Sequence, residues 1–168
     1  MGEAGRVRGA RGRDLLGLLA FVVICLAVSG IGGAITATSV GTWYQELQKP
    51  PFNPPDWVFA PVWTTLYLMM AVAGWRVWRV RPAGPGRVAL AVFALQLALN
   101  LAWSFLFFGL RRIDLALVEI LLLLLTIVAT TVLFWRIDRV AGALFVPYGI
   151  WVVYAAALNG SLWLLNRT

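Results

Sequence analysis

The chain contains no histidine and a single cysteine, Cys25. The first absence excludes His-ligated haem, His-based zinc sites and any Ser-His or Cys-His nucleophile pair. A lone cysteine excludes an internal disulfide and any cysteine cage for zinc or an iron–sulfur cluster. No metal site is therefore expected. Lys49 is the only lysine and lies outside the long apolar runs, which excludes a retinal-type Schiff base within a membrane. Charge as a whole is scarce. Of 168 residues 12% are charged and 61% hydrophobic, against about 25% and 45–50% in a soluble domain. That balance argues against both disorder and a soluble single domain.

What remains is apolar and basic. Five runs are each long enough to span a bilayer: Leu15–Ala37, Trp57–Trp78, Val88–Phe108, Leu115–Trp135 and Ala141–Leu165, since about 20 helical residues suffice. The expected fold is an all-α integral membrane protein, a five-transmembrane-helix bundle over 15–168. Residues 1–14, rich in Gly and Arg, read as a disordered basic tail. The first run is longer than the apolar core of a typical signal peptide, so it is expected to be retained. Arg81–Arg87 is a breaker-rich turn.

The net charge of +7 comes mostly from arginines flanking the runs. Removing the spans leaves no basic face, so no nucleic-acid partner is expected. Their sidedness sets topology instead. Arg6, Arg8, Arg11, Arg13, Arg76, Arg79, Arg81, Arg87, Arg136 and Arg139 fall on the N-terminal side, and Lys49, Arg111, Arg112 and Arg167 on the other. In a bacterial cell membrane this bias places the N-terminus in the cytoplasm and the C-terminus outside.

One connection, Thr38–Asp56, has room for structure of its own. It reads Trp43-Tyr44-Gln45-Glu46-Leu47-Gln48-Lys49-Pro50-Pro51-Phe52-Asn53-Pro54-Pro55-Asp56 and leads into Trp57-Val58-Phe59. Four prolines stiffen it and withhold backbone donors. Such a segment suits a lid packed on the helix ends. For Trp43, Tyr44 and Trp57 an interfacial aromatic belt is an equal alternative.

Three aromatic stripes follow at about 100° per residue. Phe59, Trp63, Tyr67 and Met70 share one face of the second run. Gln96, Asn100, Trp103 and Phe107 share one of the third. Tyr148, Trp151, Ala155 and Asn159 share one of the fifth. Large aromatics joined to a few neutral polar groups suit a pocket for a flat, mostly apolar ligand. For any residue alone, core packing and interhelical hydrogen bonding remain the alternative.

The pattern W-Y-x-x-L-x-K-P-x-x-x-P-P-x-W-V-F, then W-T-x-L-Y, over Trp43–Tyr67 resembles the translocator protein family, also called tryptophan-rich sensory proteins (TspO/MBR). So do Leu99-Asn100-Leu101-Ala102-Trp103 with Phe107-Phe108-Gly109, and Val146-Pro147-Tyr148 with Trp151, Leu158 and Asn159. The resemblance runs from the first span to the last. It implies a five-helix bundle, usually dimeric, with a pocket beneath the first loop. Family members bind porphyrins, several bind sterols or synthetic isoquinoline and benzodiazepine ligands, and some bacterial members degrade protoporphyrin in light. Carried over residue by residue, the positions tied to porphyrin chemistry fall on Trp63 and Trp151. Trp43, Tyr44, Phe59, Asn100 and Trp103 match pocket or lid positions, and Ala155 a small position on the pocket floor. Two departures weaken the sterol and synthetic-ligand readings. Leu158–Arg167 has no Tyr where the family's sterol pattern has one, and Trp103-Ser104-Phe105 stands where vertebrate-like members have Trp-Pro-Pro.

Three functions stay open: a binder of porphyrin-type (tetrapyrrole) ligands for sensing, sequestration or transport, an enzyme oxidising protoporphyrin with Trp63 and Trp151 as redox-active aromatics, and a passive scaffold. Porphyrin enters as ligand or substrate, and no resident cofactor is expected. Besides the lipid bilayer, the expected partner is a second copy packed through the third run, where Ala94, Ala98 and Ala102 form a small-residue row opposite Asn100. Ser29/Gly33 and Gly30/Ala34 offer a competing seam. Glu119, the one acid well inside an apolar run, is expected to pair locally with Arg111 or Arg112.

Overall fold

The computed structural model describes residues 3–80 and 84–167, with side chains from Gly12 onward. Residues 81–83 of the breaker-rich turn lie outside this range. Among the described residues all regular structure is helical. In order these are α1 (Glu3–Ala37), the single-turn α2 (Trp43–Glu46), a 3₁₀ turn (Asp56–Val58) leading into α3 (Phe59–Val80), α4 (Pro85–Ser104) continuing through a π turn (Phe105–Gly109), α5 (Ile113–Ile137) and α6 (Arg139–Asn166). Five of these units are long and apolar enough to cross a membrane. The chain is a multi-pass integral membrane protein with the expected five-helix architecture. Helix extends back to Glu3, through residues whose composition suggested a disordered tail, while the apolar part of α1 begins at Gly12.

The helix boundaries follow local chemistry. Gly84, at φ +80°, takes a left-handed conformation that favours glycine, and Pro85 then opens α4 where its missing N–H costs nothing. Asp138 caps α6: its Oδ1 accepts from the amides of Val140 (2.9 Å) and Ala141 (3.1 Å). Its carboxylate also holds Arg76 of α3 at 2.8 Å. Burial opposes ionisation of Asp138, but the Ala141 amide, Arg76 and the Val140 amide outweigh it and hold the carboxyl below the usual range. Hydroxyls inside the spans bond back to their own helix, as Thr65 does to Pro61 O and Thr131 to Ile127 O, both at 2.8 Å. No water is then needed to satisfy them in lipid.

The helices close into a ring, α1–α3–α6–α5–α4 and back to α1. At the end bearing Arg76, Arg87, Arg136 and Arg139, here the basic end, the ring is solid. Phe93 stacks on Phe134 at 5.8 Å, and Phe145 meets Phe134 at 5.3 Å. The turn between α5 and α6 is as tight: a Cβ on Gly142 would lie 2.7 Å from Trp135 Cα. Ala94 and Ala98 are exposed on the outside of the ring and Ala102 is half-buried, away from buried Gln96 and Asn100.

Candidate functional site

At the opposite end, the loop end, the same helices part around a cavity of about 430 Å³. Four spans and the loop build its wall. From α3 come Phe59, Trp63 and Tyr67, from α4 and its π turn Asn100, Trp103 and Phe107, and from α6 Trp151, Ala155 and Asn159. Tyr44 comes from the loop. These ten sequence candidates are brought together. Trp43 and Tyr148 do not line the space. Trp43 packs behind Phe107 at 5.8 Å, and Tyr148 is fully buried beneath the floor.

The cause is common to the three stripes. Each ends in a residue nearer the basic end: Met70, Gln96 and Tyr148, all fully buried. The helices converge there, so the lower end of each stripe is core and only the upper part faces the cavity. The floor is a hydrogen-bonded chain. Tyr67 Oη donates to Asn100 Oδ1 (2.5 Å), and Asn100 Nδ2 donates to Tyr148 Oη (2.9 Å). Beside it, Trp103 Nε1 donates to Asn159 Oδ1 (3.1 Å), and Asn159 Nδ2 donates to Ile113 O (3.0 Å). Trp151 Nε1 is buried without a hydrogen-bond partner among the described residues.

The roof is the first loop. Tyr44 is buried against Phe107 and Phe108, with ring centroids 6.2 and 5.8 Å away. Its hydroxyl donates to Asn53 Oδ1 at 2.7 Å. Burial first, then Asp56 and Tyr154, push this hydroxyl up to about 12 despite the bond to Asn53, so it remains a donor at neutral pH. Tyr154 Oη donates to Phe52 O (2.6 Å). Asn166 clamps both backbone groups of Gln48, each at 3.0 Å. Ser39 Oγ donates to Phe108 O (2.8 Å), tying the end of α1 to the π turn. Trp43 and Tyr44 thus pack inward against the π turn, while Trp57, 75% exposed, points out.

The π turn closes through Leu110 N donating to Phe105 O (2.8 Å). It carries both Phe107 and Phe108 inward, where both line the cavity. Its wide register cannot be read from apolar spacing, so Phe108 lies outside the helical stripes of the sequence.

The fourth span in the wall is α1, through Ser29, Gly32, Gly33, Thr36 and Ala37. In the sequence Ser29 and Gly33 read only as a small-residue seam for a second copy. Their spacing was the available signal, and it marks a helix face that leaves space. Asp56, at the mouth, is the one charged lining residue among those described, and Gln45 Nε2 donates to it at 2.9 Å.

Glu119 departs from expectation. Arg112 pairs instead with Asp114 at 2.6 Å, and Arg111 lies over the Trp43 ring at 5.9 Å. Glu119 is buried in α5, and neither carboxyl oxygen has a hydrogen-bond partner among the described residues. Its side chain turns toward the core because the lipid-facing side of α5 is occupied by Leu115, Val118, Leu121 and Leu122.

The TspO/MBR family model matches residues 21–164. The chain is 43% identical over 152 residues to protein CrtK of Rhodobacter capsulatus, covering 90% of this chain and 94% of that protein. It is 40% identical over 161 residues to tryptophan-rich protein TspO of Chlorobaculum tepidum, covering 92% and 98%. With the translocator protein of Bos taurus it shares 37% over 139 residues, 82% of each chain.

Proposed function

The chain belongs to the TspO/MBR family, and on that premise we propose that it binds a flat, mostly apolar ligand of the porphyrin class in the loop-end cavity. The observation that carries this reading is the wall itself: aromatic faces on three helices and a fixed polar floor around about 430 Å³. Rings supply contact area at little entropic cost, and a few polar groups set orientation. The name of one relative, translocator protein, favours passage of such a ligand across a bacterial cell membrane, N-terminus inside, with sensing or sequestration as the other roles for the same site. Dimerisation through Ala94, Ala98 and Ala102 belongs to the same reading.

Titration with protoporphyrin IX, followed by tryptophan quenching, tests it. Saturable binding weakened by Asn100→Ala, at about 1 kcal/mol for one lost polar contact, is the expected result. Absence of saturable binding would leave only a scaffold.

A second reading, light-dependent oxidation of the porphyrin with dissolved dioxygen as the electron acceptor, has one observation in its favour. Trp151 contacts Phe59 at 6.1 Å and Tyr154 at 5.5 Å, and Trp63 contacts Tyr67 at 5.8 Å. Oxidisable rings thus run from the cavity wall to Tyr154 beneath the loop. Trp151→Phe keeps a stacking face but is harder to oxidise. If the chain degrades porphyrin, this change suppresses illuminated Soret-band decay well beyond its effect on binding, whereas Asn100→Ala does not. Equal losses in both assays for both variants leave a binder.

A further inference from the structure

We propose that the cavity fills from the lipid phase, through a lateral portal between α1 and α3, and not from water through the loop. The inference rests on the ligand reading above and adds the route by which the ligand arrives.

Two observations carry it. The first is that the roof is closed. Between α1 and α3 the loop is tied to α6 at Phe52–Tyr154 and Gln48–Asn166 and braced within itself at Tyr44–Asn53, by bonds of 2.6–3.0 Å. Tyr44, Phe107 and Phe108 fill the space beneath it and are all buried. A ligand entering from water would have to break these bonds and displace three packed rings.

The second observation is that the side is open. The exposed lining residues are Gly33, Ala37, Gly41, Asp56, Ala60 and Thr64. All belong to the last turns of α1, the first turns of the second span, or the loop's first residues. A Cβ on Gly33 or Gly41 would meet nothing within 4 Å. The opening starts at Asp56 and descends along α3 to Thr64, about 12 Å at 1.5 Å per residue. It therefore reaches well into the hydrocarbon layer. α1, which forms its other edge, is the least buried of the spans.

The chemistry of the rim suits acyl chains. Below Asp56 the side chains are methyl-sized or absent, except Thr64, whose hydroxyl donates to Ala60 O at 2.8 Å. The lower rim therefore presents no unsatisfied side-chain donor to lipid. At its upper edge Asp56 and Gln45 mark the level of the headgroups. A flat apolar molecule dissolved in the bilayer can slide edge-on between two helices separated by small residues, without crossing water. This also bears on assembly: a second copy packed on Ser29 and Gly33 would cover the portal, whereas one packed on Ala94 and Ala98 leaves it free.

The test uses the full chain in lipid nanodiscs and three probes, each read by saturable tryptophan quenching. The probes are free protoporphyrin IX, its octadecyl ester, which stays in the bilayer, and a dextran conjugate, which stays in water. The portal predicts that the octadecyl ester binds and the dextran conjugate does not. Gly33→Leu should slow association of the octadecyl ester about tenfold, equal to about 1.4 kcal/mol in barrier. Because the new side chain meets open space and leucine favours helix, thermal unfolding should be unchanged. Binding of the dextran conjugate, exclusion of the octadecyl ester while free porphyrin binds, or an unaltered rate in Gly33→Leu would each overturn the portal. If free porphyrin itself fails to bind, the ligand reading fails and the portal falls with it.

Discussion

At the basic end Phe93, Phe134 and Phe145 close on one another with ring centroids 5.3, 5.8 and 6.0 Å apart. At the loop end the same helices carry more aromatic residues and still leave a cavity. Much of the difference lies in what α1 contributes. Near the basic end its Phe21 reaches Phe93 at 5.9 Å. Near the loop end it turns only Ser29, Gly32, Gly33, Thr36 and Ala37 toward the cavity. Aromatic content alone therefore does not fill a bundle; one helix face of small residues is enough to keep it hollow.

The sharpest way to break this contrast is to delete one ring from each end. Phe145→Ala should cost about 3–5 kcal/mol, the usual figure for a fully buried phenylalanine. Phe107→Ala should cost clearly less, because Phe107 already borders empty space. Thermal unfolding in one detergent measures both. Equal losses would mean that the loop end is as tightly packed as the basic end.

Next in size is Asp138, which joins the cap of α6 to Arg76 across the basic end. Asp138→Ala should cost about 2 kcal/mol or more, from a lost cap and an unpaired, half-buried arginine. The same carboxyl predicts a pH dependence. Its folded value is held below the unfolded value of about 3.9. Its contribution is thus fully present above that value and is lost as pH falls through the folded one. Acid unfolding of Asp138→Asn, followed by circular dichroism, should therefore be flatter than that of the parent below about pH 4.

The loop end is held more lightly. Asn166→Ala removes both bonds to Gln48 and should cost about 1 kcal/mol. Hydrogen exchange should quicken over residues 47–53 and stay unchanged around Phe93 and Phe145. Smallest in stability is Ala98→Phe, since Ala98 is exposed. It should leave the melting curve in place and shift the detergent-solubilised mass toward monomer. An unchanged dimer would move the seam elsewhere, with the first-helix glycines next in line.

Apolar run length made the five spans legible, and helical spacing made the facing stripes legible down to Tyr67, Asn100 and Trp151. The lower members were misplaced because periodicity gives a residue's face and not the depth at which helices converge. Met70, Gln96 and Tyr148 accordingly lie in the core. Small residues of α1 carry no chemistry of their own, so their part in the wall emerged only once α3 and α4 were set opposite them. Glu119 was misread because sequence distance placed Arg112 near it, while Asp114, two residues from Arg112, takes that guanidinium.

On the proposed reading, the hollow end binds ligand and the solid end holds the bundle together. Protoporphyrin affinity, measured for Trp63→Ala, Trp151→Ala and Asn100→Ala beside the basic-end variant Phe93→Leu, tests it most directly. Weakened binding is expected in the first three and, in Phe93→Leu, a lowered melting temperature with affinity retained. Unchanged affinity in all three loop-end variants would contradict it.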